Sequence, residues 1–551
     1  MIPQEAYKAI EHIVGSKYIS QEPEVCRAYT LKDRGFYTAE ARVLGRDPAC
    51  VVLPGTTEEV QQIVKIANRY KIGYTPSSTL WFPQAGPRFD DCLFIDLKRF
   101  NTLEIDPKNM NATCGTGVIY AQLQAEALQY GLYTMTPGGG SQVGVVPNHL
   151  IWSFSPLTYR VGMANRRIMG CEWILPNGEI VRLGSLASGE DPFWGEGIGP
   201  DLRGILRGSI GWFGSLGIVT KMCVKLFPFH HEPLPPTGIT PNTFLKFPEH
   251  RMKWYNFTCP SKEALIEFMY DLGHAEIAAA ATRVPVAWRY IAKAESKEDF
   301  WERWNQSEGK YEEVTGSHVL RVLLIGYTSA KQLEYEEKVL MAIAESRGAT
   351  HRRTFQGDQS WMQSADSVSM WWLTGAFMSV TGQVDTIDCG IKTGMEFAKL
   401  KAKYTLPIMP DYGDQGWFQS NDFGHSGYLE FLNYWDPNDT EKQLHKVDEY
   451  YQIAGPKLLI KSGALSFFIQ TDSPLTLDGP NYGPNYDKFA RKVKDALDPQ
   501  HNCNPPGILD VIDEVVEKAP WLKRKKDWVE DTKKKSPKLA GKKAGKSNSQ
   551  R

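Results

Sequence analysis

The chain has 551 residues, of which 42% are apolar and 23% charged, and its formal net charge is −1. This composition is typical of a globular protein of two to four domains, and it excludes a strongly basic or acidic body. No apolar run reaches the roughly 18 residues of a membrane-spanning helix, and "MIPQEAYKAIEHIVG" lacks the basic-then-apolar order of a signal peptide. The nine cysteines occur singly, without a CxxC pair, which favours reduced thiols, a cytoplasmic protein and no metal site.

Residues 50–75 are predicted to form a strand, a helix and a second strand. The apolar "CVVL" is typical of a short buried strand, and Thr56 or Thr57 is placed to cap the helix that follows. One helical face is apolar, because the spacing i, i+3, i+4 and i+7 is occupied by Val60, Ile63, Val64 and Ala67. The stretch "KIGYTP" then leads into the second strand.

Three further elements are predicted before residue 230. The stretch "VIYAQLQAEALQYG" is a helix that ends at Gly131, and "CEWILPNGEIVRLGS" is a hairpin turning at Asn177-Gly178. The stretch "GIVTKMCVKLFP" is a strand with Thr220, Met222, Val224 and Leu226 on one face. We therefore expect residues 1–230 to form an α+β unit rich in strands.

A second unit is predicted over residues 231–485, after the proline-rich linker "HHEPLPPTGITP". The helical stretches "SKEALIEFMYDLGHAEIAAAATR" and "SAKQLEYEEKVLMAIAESRG" alternate with the apolar runs "HVLRVLLIGYTS" and "GYLEFLNYW". This pattern predicts an antiparallel sheet covered by helices.

The last residues, 521–551, carry 12 Lys or Arg against three Asp or Glu, so this tail is at +9 and the rest of the chain at about −10. We expect the tail to be disordered. Two interpretations stay open, a docking element for an anionic partner and a solvated tail without a specific role. A nucleic-acid partner is not expected, because the basic residues are confined to the tail.

The order and spacing of the motifs resemble the vanillyl-alcohol oxidase / p-cresol methylhydroxylase family of FAD-binding oxidoreductases, the FAD-linked oxidases. The stretches that carry the resemblance are "VVLPGTTEEVQQIVKIAN", "TPSSTLWFPQAGPRFDDCLFIDLKRFNTLEID", "ATCGTGVIYAQLQAEALQYGLYTMTPGGGSQVG", "GCEWILPNGEIVRLGS", "GSIGWFGSLGIVTKMCVKLFP" and "YDKFARKVKDALDPQHNCNPPGIL". The resemblance implies an α+β fold with a two-part FAD-binding domain, residues 1–230 closed by the return of residues 486–520. It also implies an α+β substrate or cap domain, with its antiparallel sheet covered by helices, and a flavin ring at the interface.

Two loops are predicted to hold the FAD pyrophosphate, "TPSST" (75–79) and "PGGGSQVG" (137–144). Small residues let backbone N–H groups converge on a phosphate, so no Lys or Arg is required. A flexible linker is the alternative for "GGGS", and a Rossmann site is excluded because GxGxxG is absent. The predicted cofactor-binding residues are Thr75, Pro76, Ser77, Ser78, Thr79, Leu80, Trp81, Pro137, Gly138, Gly139, Gly140, Ser141, Val143, Gly144, Asn148, Gly217, Ile218 and Val219.

The sequence departs from the family at two substrate motifs. Phenol-oxidising members use an early tyrosine and a late Tyr-Arg pair, whereas the matching positions here are Trp81 or Phe82 and "GALSFF" (463–468). D-lactate and glycolate members carry a "GHxGDGN"-like motif, of which "GHSGYLEF" keeps Gly424, His425 and Gly427 but not the acid and amide. A phenolic substrate, the hydroxy-acid interpretation and a metal site are all weakened.

Five residues are catalytic candidates: His425, Glu430, His149, Tyr159 and Arg160. A histidine suits removal of a hydroxyl proton near neutral pH, and for His425 the alternative is a hydrogen-bonded structural role. His149 follows the phosphate loop by five residues and is placed to contact the flavin or the active site. Glu430 is either a buried carboxylate with a raised pKa or an outward side chain on an edge strand. Arg160 could hold a carboxylate or the charge of the reduced flavin, or pair with a surface acid. By resemblance, His425 or Tyr428 could bond FAD covalently, and this linkage stays open.

We therefore expect an FAD-dependent oxidoreductase that dehydrogenates an alcohol, a hydroxy acid or an activated C–H of a fairly apolar small molecule by hydride transfer to flavin N5. Electrons would pass to O₂ or to an electron-acceptor protein, and a homo-oligomer is expected. The alternatives are a D-2-hydroxy-acid dehydrogenase of the lactate or glycolate kind, and a flavin-binding subunit of a larger redox complex.

Overall fold

Three large β-sheets and two two-stranded sheets organise the described part of the chain. The computed structural model describes residues 1–30, 45–80, 86–151, 153–184, 200–208, 212–230, 237–239, 242–244, 249–291, 294–306, 318–355, 374–411, 414–454, 465–466 and 485–505. The described helices are α1 (Gln4–Val14), α2 (Pro23–Arg27), α3 (Thr57–Tyr70), α4 (Tyr120–Gln129), α5 (Val145–Leu150), α6 (Thr158–Val161), α7 (Arg203–Leu206), α8 (Lys262–His274), α9 (Val286–Ile291), α10 (Lys297–Asn305), α11 (Ala330–Ser346), α12 (Ile387–Lys401), α13 (Glu441–Ile453) and α14 (Tyr486–Leu497).

The described strands number 21. They are β1 (Ile19–Ser20), β2 (Cys50–Val52), β3 (Tyr74–Ser77), β4 (Leu93–Asp96), β5 (Leu103–Asp106), β6 (Asn111–Gly115), β7 (Leu132–Tyr133), β8 (Ile168–Ile174), β9 (Ile180–Leu183), β10 (Ile218–Lys225), β11 (Phe227–Pro228), β12 (Thr237–Ile239), β13 (Asn242–Phe244), β14 (Met252–Cys259), β15 (Ala280–Arg283), β16 (His318–Ile325), β17 (Thr350–Phe355), β18 (Ala376–Val384), β19 (Trp417–Asn421), β20 (Ser426–Trp435) and β21 (Leu465–Ser466).

The first sheet has the order β1-β2-β4-β3, and β2, β4 and β3 run parallel. Helix α3 connects β2 to β3, as the sequence predicts. The Thr56 hydroxyl accepts a hydrogen bond from the N–H of Glu59, which satisfies one of the free donors of the first turn. The helix buries the predicted apolar face, which consists of Val60, Ile63, Val64 and Ala67.

The second sheet is antiparallel in the order β5-β6-β10-β8-β9. The predicted hairpin is confirmed, since β8 pairs with β9 and Gly178 takes a φ of 87° in the turn between them. Helix α4 lies on this sheet, and Gly131 just beyond it has a φ of 67°. Left-handed φ values favour glycine because it has no Cβ.

The third sheet has eight antiparallel strands in the order β17-β14-β16-β15-β19-β20-β18-β21, and we call this sheet with its helices the cap. Helices α8, α11 and α12 cover one face and share a core with Phe418 and Leu429. The opposite face packs against the second sheet, because Trp417 and Tyr428 belong to the same core as Tyr120 and Val224. The predicted antiparallel sheet covered by helices is confirmed.

The chain returns to the first sheet after the cap. Helix α14 is followed by residues 498–505, where the N–H of Tyr74 donates to Asn502 O at 2.9 Å and the N–H of Asn504 donates to Tyr74 O at 2.7 Å. These bonds extend the parallel sheet beside β3. The predicted domain boundaries themselves stay predictions.

None of the nine cysteines forms a disulfide. Among the described helices, none combines the length and apolar character that a membrane span requires. Within the described ranges, no group of three or more His, Cys, Asp or Glu is arranged to hold a metal ion.

Candidate functional site

A cavity of about 1000 Å³, measured with its open mouth, lies between the first two sheets. Its walls come mainly from residues 76–80, 143–151 and 212–219, with Leu97, Thr116 and Leu206 between them. None of the described side chains that line it is charged, and most are apolar. A mostly apolar lining with a few polar groups is typical of sites for organic cofactors.

Two features of the wall fit an anionic, phosphate-bearing cofactor. The hydroxyl of Ser78 is buried without a hydrogen-bond partner among the described residues, and a buried polar atom normally has one. A Cβ placed on Gly144 would come within 3.0 Å of this hydroxyl and of the Pro147 ring. The two loops therefore meet closely, and Ser78 keeps a hydrogen-bonding group for a ligand. The neutral wall and this hydroxyl fit FAD.

Ten of the predicted cofactor-binding residues line the cavity. They are Pro76, Ser77, Ser78, Thr79, Leu80, Val143, Asn148, Gly217, Ile218 and Val219. Gly144 lies against Ser78, as described above, while Thr75 is buried on β3 and bonds to Asn504. Trp81 lies outside the described residues. The assignment of these residues to FAD stays a prediction.

The triple-glycine loop does not line this cavity at Pro137, Gly138, Gly139, Gly140 or Ser141. The N–H of Gly138 donates to Phe154 O at 2.9 Å, and a Cβ on Gly138 would collide with the Phe154 ring. Gly140 has a φ of 99°, which any Cβ would strain. The close approach of the Phe154 ring therefore explains why at least position 138 of the triple-glycine loop is a glycine.

The sequence prediction missed the wall formed by Trp212, Phe213, Gly214 and Leu216. Phe213 and Gly214 both have left-handed φ values, 47° and 79°. The one sequence signal for this wall is the motif "GSIGWFG" in front of the predicted strand. The wall was missed because the apolar residues of this motif are equally typical of a buried core.

The segment after the triple-glycine loop docks onto the cap. The Phe154 ring stacks on Tyr428, with 3.5 Å between ring centroids, and meets the edge of Trp417 at 5.8 Å. The Thr158 hydroxyl donates to Asn421 Oδ1 at 2.6 Å and accepts from Gln419 Nε2 at 2.8 Å. Aromatic stacking and buried hydrogen bonds thus hold the cap against the second sheet.

Glu430 is buried in the middle of the cap sheet, at 8% exposure. Strand β20 lies between β19 and β18, so the alternative of an outward side chain on an edge strand is wrong. Glu430 stands opposite Trp417 and therefore lies on the face that packs against the second sheet. Burial raises the pKa of Glu430 to about 7, although hydrogen bonds with Ser379 and Tyr428 act in the opposite direction. A carboxylate with such a pKa is suited to proton transfer near neutral pH.

His149 is fully buried on α5, outside the cavity lining. Its Nδ1 lies 2.8 Å from Val145 O, which fixes the proton on that nitrogen, and 3.3 Å from the Tyr120 hydroxyl. Burial, and then the charge of Arg167, lower the pKa of His149 to about 3. The imidazole is therefore neutral at physiological pH.

We expect the stability of the protein to fall as the pH drops below 6.5, in part because of His149. Between pH 6.5 and about 3 the unfolded chain binds a proton on this imidazole that the folded chain excludes. The contribution is up to about 1.4 kcal/mol per pH unit. Urea unfolding at several pH values should show a shallower acid loss for His149→Asn than for the parent protein. Equal slopes would contradict the buried, neutral state.

Tyr159 and Arg160 lie on α6, at the contact with the cap. Tyr159 is buried, with its ring against Phe423 at 5.2 Å. The Arg160 guanidinium lies 3.8 Å from Glu336 Oε1, donates to Ala278 O at 3.3 Å and covers the Tyr327 ring. The structure thus places Arg160 in a contact between α6 and the cap, partly exposed to solvent. The catalytic roles of both residues stay predictions.

His425 is exposed at the start of β20, directly after the turn Asp422–Gly424. Tyr428, the other candidate for a covalent bond to FAD, is fully buried, and burial raises the pKa of its hydroxyl. The structure does not bring His425 together with Glu430 in a common buried site. Phe82, most of residues 463–468 and the tail 521–551 lie outside the described residues.

A family model described as "FAD binding domain" matches residues 48–184. An uncharacterized FAD-linked oxidoreductase of Mycobacterium tuberculosis is 32% identical over 185 residues, which are 33% of this chain and 38% of that protein. The mitochondrial D-lactate dehydrogenase [cytochrome] of Arabidopsis thaliana is 27% identical over 184 residues, 32% of this chain and 30% of that protein. The matches thus span between a quarter and two fifths of either protein.

The solved structures extend the likeness to 93% of the chain. P-cresol methylhydroxylase with substrate bound superposes with a TM-score of 0.71 at 18% identity, covering 93% of this chain and 98% of that chain. The 4-ethylphenol oxidase of Gulosibacter chungangensis gives 0.69 with the same identity and coverage. At this identity the likeness shows the fold.

Residues 48–184 are thus an FAD-binding domain, and the relatives of this domain include FAD-linked oxidoreductases. The chain as a whole has the fold of the vanillyl-alcohol oxidase / p-cresol methylhydroxylase type. The resemblance, the fold class and FAD as the cofactor are confirmed.

Proposed function

We propose that this protein is an FAD-dependent oxidoreductase that dehydrogenates a fairly apolar small molecule, with Glu430 as the proton acceptor. The observation that carries the proposal is a buried carboxylate with a pKa near 7 on the cap face directed at the second sheet. Perturbed carboxylates in such a position are typical of catalytic acids and bases.

Different residues of the chain bind the cofactor, accept the proton and orient the carboxylate. Ser78 and the backbone around Gly144 and Gly217 would hold FAD, which when bound would supply the hydride acceptor at flavin N5. For an alcohol substrate, the Glu430 carboxylate takes the hydroxyl proton while the carbon loses a hydride, so that a carbonyl product and a neutral carboxylic acid result. Tyr428 and Ser379 keep the carboxylate oriented through their hydrogen bonds.

A fairly apolar substrate is supported by the surroundings of Glu430. Trp417 stands opposite Glu430, and the rings of Tyr428 and Phe154 stack beside it. The alternative, a D-2-hydroxy-acid dehydrogenase, is supported by D-lactate dehydrogenases of Arabidopsis thaliana and Saccharomyces cerevisiae among the relatives. Both relatives match 32% of the chain, so they support the assignment of the cofactor domain more than that of the substrate.

The electron acceptor is proposed to be O₂ or a protein carrier, and a flavin-binding subunit is the further alternative. Nine cysteines without a disulfide support a reducing, cytoplasmic setting. A homo-oligomer is kept as a proposal.

Removal of residues 521–551 distinguishes the two interpretations of the tail. If complex formation is lost while activity is unchanged, the tail is a docking element.

The test is to load the purified protein with FAD and then mix it anaerobically with candidate substrates. We expect a flavin spectrum that bleaches with an apolar alcohol. Bleaching by D-lactate alone would favour the hydroxy-acid alternative, and protein that takes up no FAD would overturn the proposal. Acid precipitation, with the spectrum read in pellet and supernatant, decides whether the flavin is covalent.

A further inference from the structure

Three side chains near the C-terminal end of the described chain donate hydrogen bonds to one wall of the cavity, on the side of the wall that faces away from the cavity. They bond to three consecutive carbonyl oxygens of the 213–215 loop. Asn504 Nδ2 donates to Phe213 O at 2.5 Å, Cys503 Sγ donates to Gly214 O at 2.8 Å, and Lys494 Nζ donates to Ser215 O at 2.6 Å. None of the three donors lines the cavity.

The bonds to Phe213 O and Ser215 O also orient two N–H groups of the loop, whereas the Ser215 N–H donates to Trp212 O and the Gly217 N–H donates to Cys503 Sγ. In a trans peptide the C=O and the next N–H lie on opposite sides, so a carbonyl held from behind turns the following N–H away from the C-terminal segment. The N–H groups of Gly214 and Leu216 follow two of these carbonyls, and both residues line the cavity. The left-handed φ of Phe213, 47°, is unfavourable by itself and needs such outside support.

Asn504 additionally joins this wall to the opposite one. Its Oδ1 accepts from the Thr75 hydroxyl at 2.9 Å, while its Nδ2 holds Phe213 O. Thr75 lies on β3, which leads directly into residues 76–80 of the first loop. One buried amide, at 0% exposure, therefore fixes the distance between two walls that are 138 residues apart in sequence.

We propose that Asn504, Cys503 and Lys494 are positioning residues for cofactor binding, so that the C-terminal return sets the affinity for FAD without touching it. The inference rests on the proposed assignment of the cavity to FAD. Lys494 is held in turn by Asp498 Oδ2 at 2.5 Å and by Cys503 O at 3.1 Å, which makes the three donors one unit. Loss of any donor should loosen the 213–216 wall.

The test is an equilibrium titration of apoprotein variants with FAD, followed by flavin fluorescence. Asn504→Ala and Cys503→Ala should raise the FAD dissociation constant by about tenfold or more, because the first removes the side-chain donor to Phe213 O, and the second removes both the donor to Gly214 O and the acceptor of the Gly217 N–H. Cys503→Ser keeps a donor and should restore binding to within about threefold. Asn111→Ala is the matched control, since Asn111 is equally buried on β6 and lies outside the cavity lining.

Thermal unfolding of the apoproteins is measured beside the affinity. The proposal requires Asn111→Ala to keep the parental FAD affinity whatever its effect on stability, whereas Asn504→Ala loses affinity. If Asn504→Ala does not fold, the comparison of Cys503→Ala with Cys503→Ser decides. If Asn504→Ala and Cys503→Ala bind FAD with dissociation constants within about threefold of the parent value, the positioning proposal is overturned and the proposed function is not. A parent protein that binds no FAD would overturn the proposed function with it.

Discussion

Gly144→Val should greatly weaken FAD binding while leaving the fold intact. A Cβ on Gly144 would lie 3.0 Å from both Ser78 Oγ and Pro147 Cδ, and the branched methyl groups of valine would extend further between them. Gly144 has φ −69° and ψ 138°, so valine meets no backbone strain at this position. Overpacking costs about 1–3 kcal/mol, and a loss of this size in the binding free energy corresponds to an increase of about 5- to 160-fold in the FAD dissociation constant.

Gly204→Val is the matched control for this variant. No atom lies within 4 Å of a Cβ on Gly204, and this glycine has no left-handed φ and does not line the cavity. FAD titration and circular dichroism should therefore show unchanged binding and fold for the control. Gly144→Val protein with parental FAD affinity would show that the space between Ser78 and Pro147 is not where the cofactor binds.

The secondary structure around the site was predictable because its causes are local. The Thr56 cap depends on an N–H three residues away, and the hairpin depends on Asn177 and Gly178 at its turn. The strand order of the cap depends on long-range pairing, so the sequence predicted an antiparallel sheet but not the interior place of β20. That place is what buries Glu430 and raises its pKa.

The walls of the cavity were predictable only in part. Loop residues 76–80 and Asn148 follow predicted elements, whereas the 212–216 wall depends on partners about 280 residues further along the chain. Spacing within a short window carries no information on such partners. The triple glycine illustrates the same limit, since the loop's small residues were predictable but the Phe154 ring beside Gly138 was not.

The rate of flavin reduction in the parent protein should rise with pH through an apparent pKa near 7. Only the ionised carboxylate of Glu430 accepts a proton, and burial raises the pKa of this group from 4.5 to about 7. Tyr428→Phe removes a hydrogen bond that lowers this pKa, so its pH–rate profile should move to higher pH. A profile that is flat between pH 6 and 8 would contradict proton transfer to Glu430.

Glu430→Gln should lower the rate of flavin reduction by about 10²- to 10⁴-fold, which is the contribution of a general base. The amide has the shape of the carboxylic acid but cannot take a proton, so the pH dependence should disappear together with the rate. FAD affinity should stay at the parental value, because Glu430 does not line the cavity. The two readouts separate the roles of cap and cavity, since Gly144→Val loses the cofactor and Glu430→Gln keeps it. A Glu430→Gln rate within about tenfold of the parent would exclude Glu430 as the base and leave the FAD site untouched.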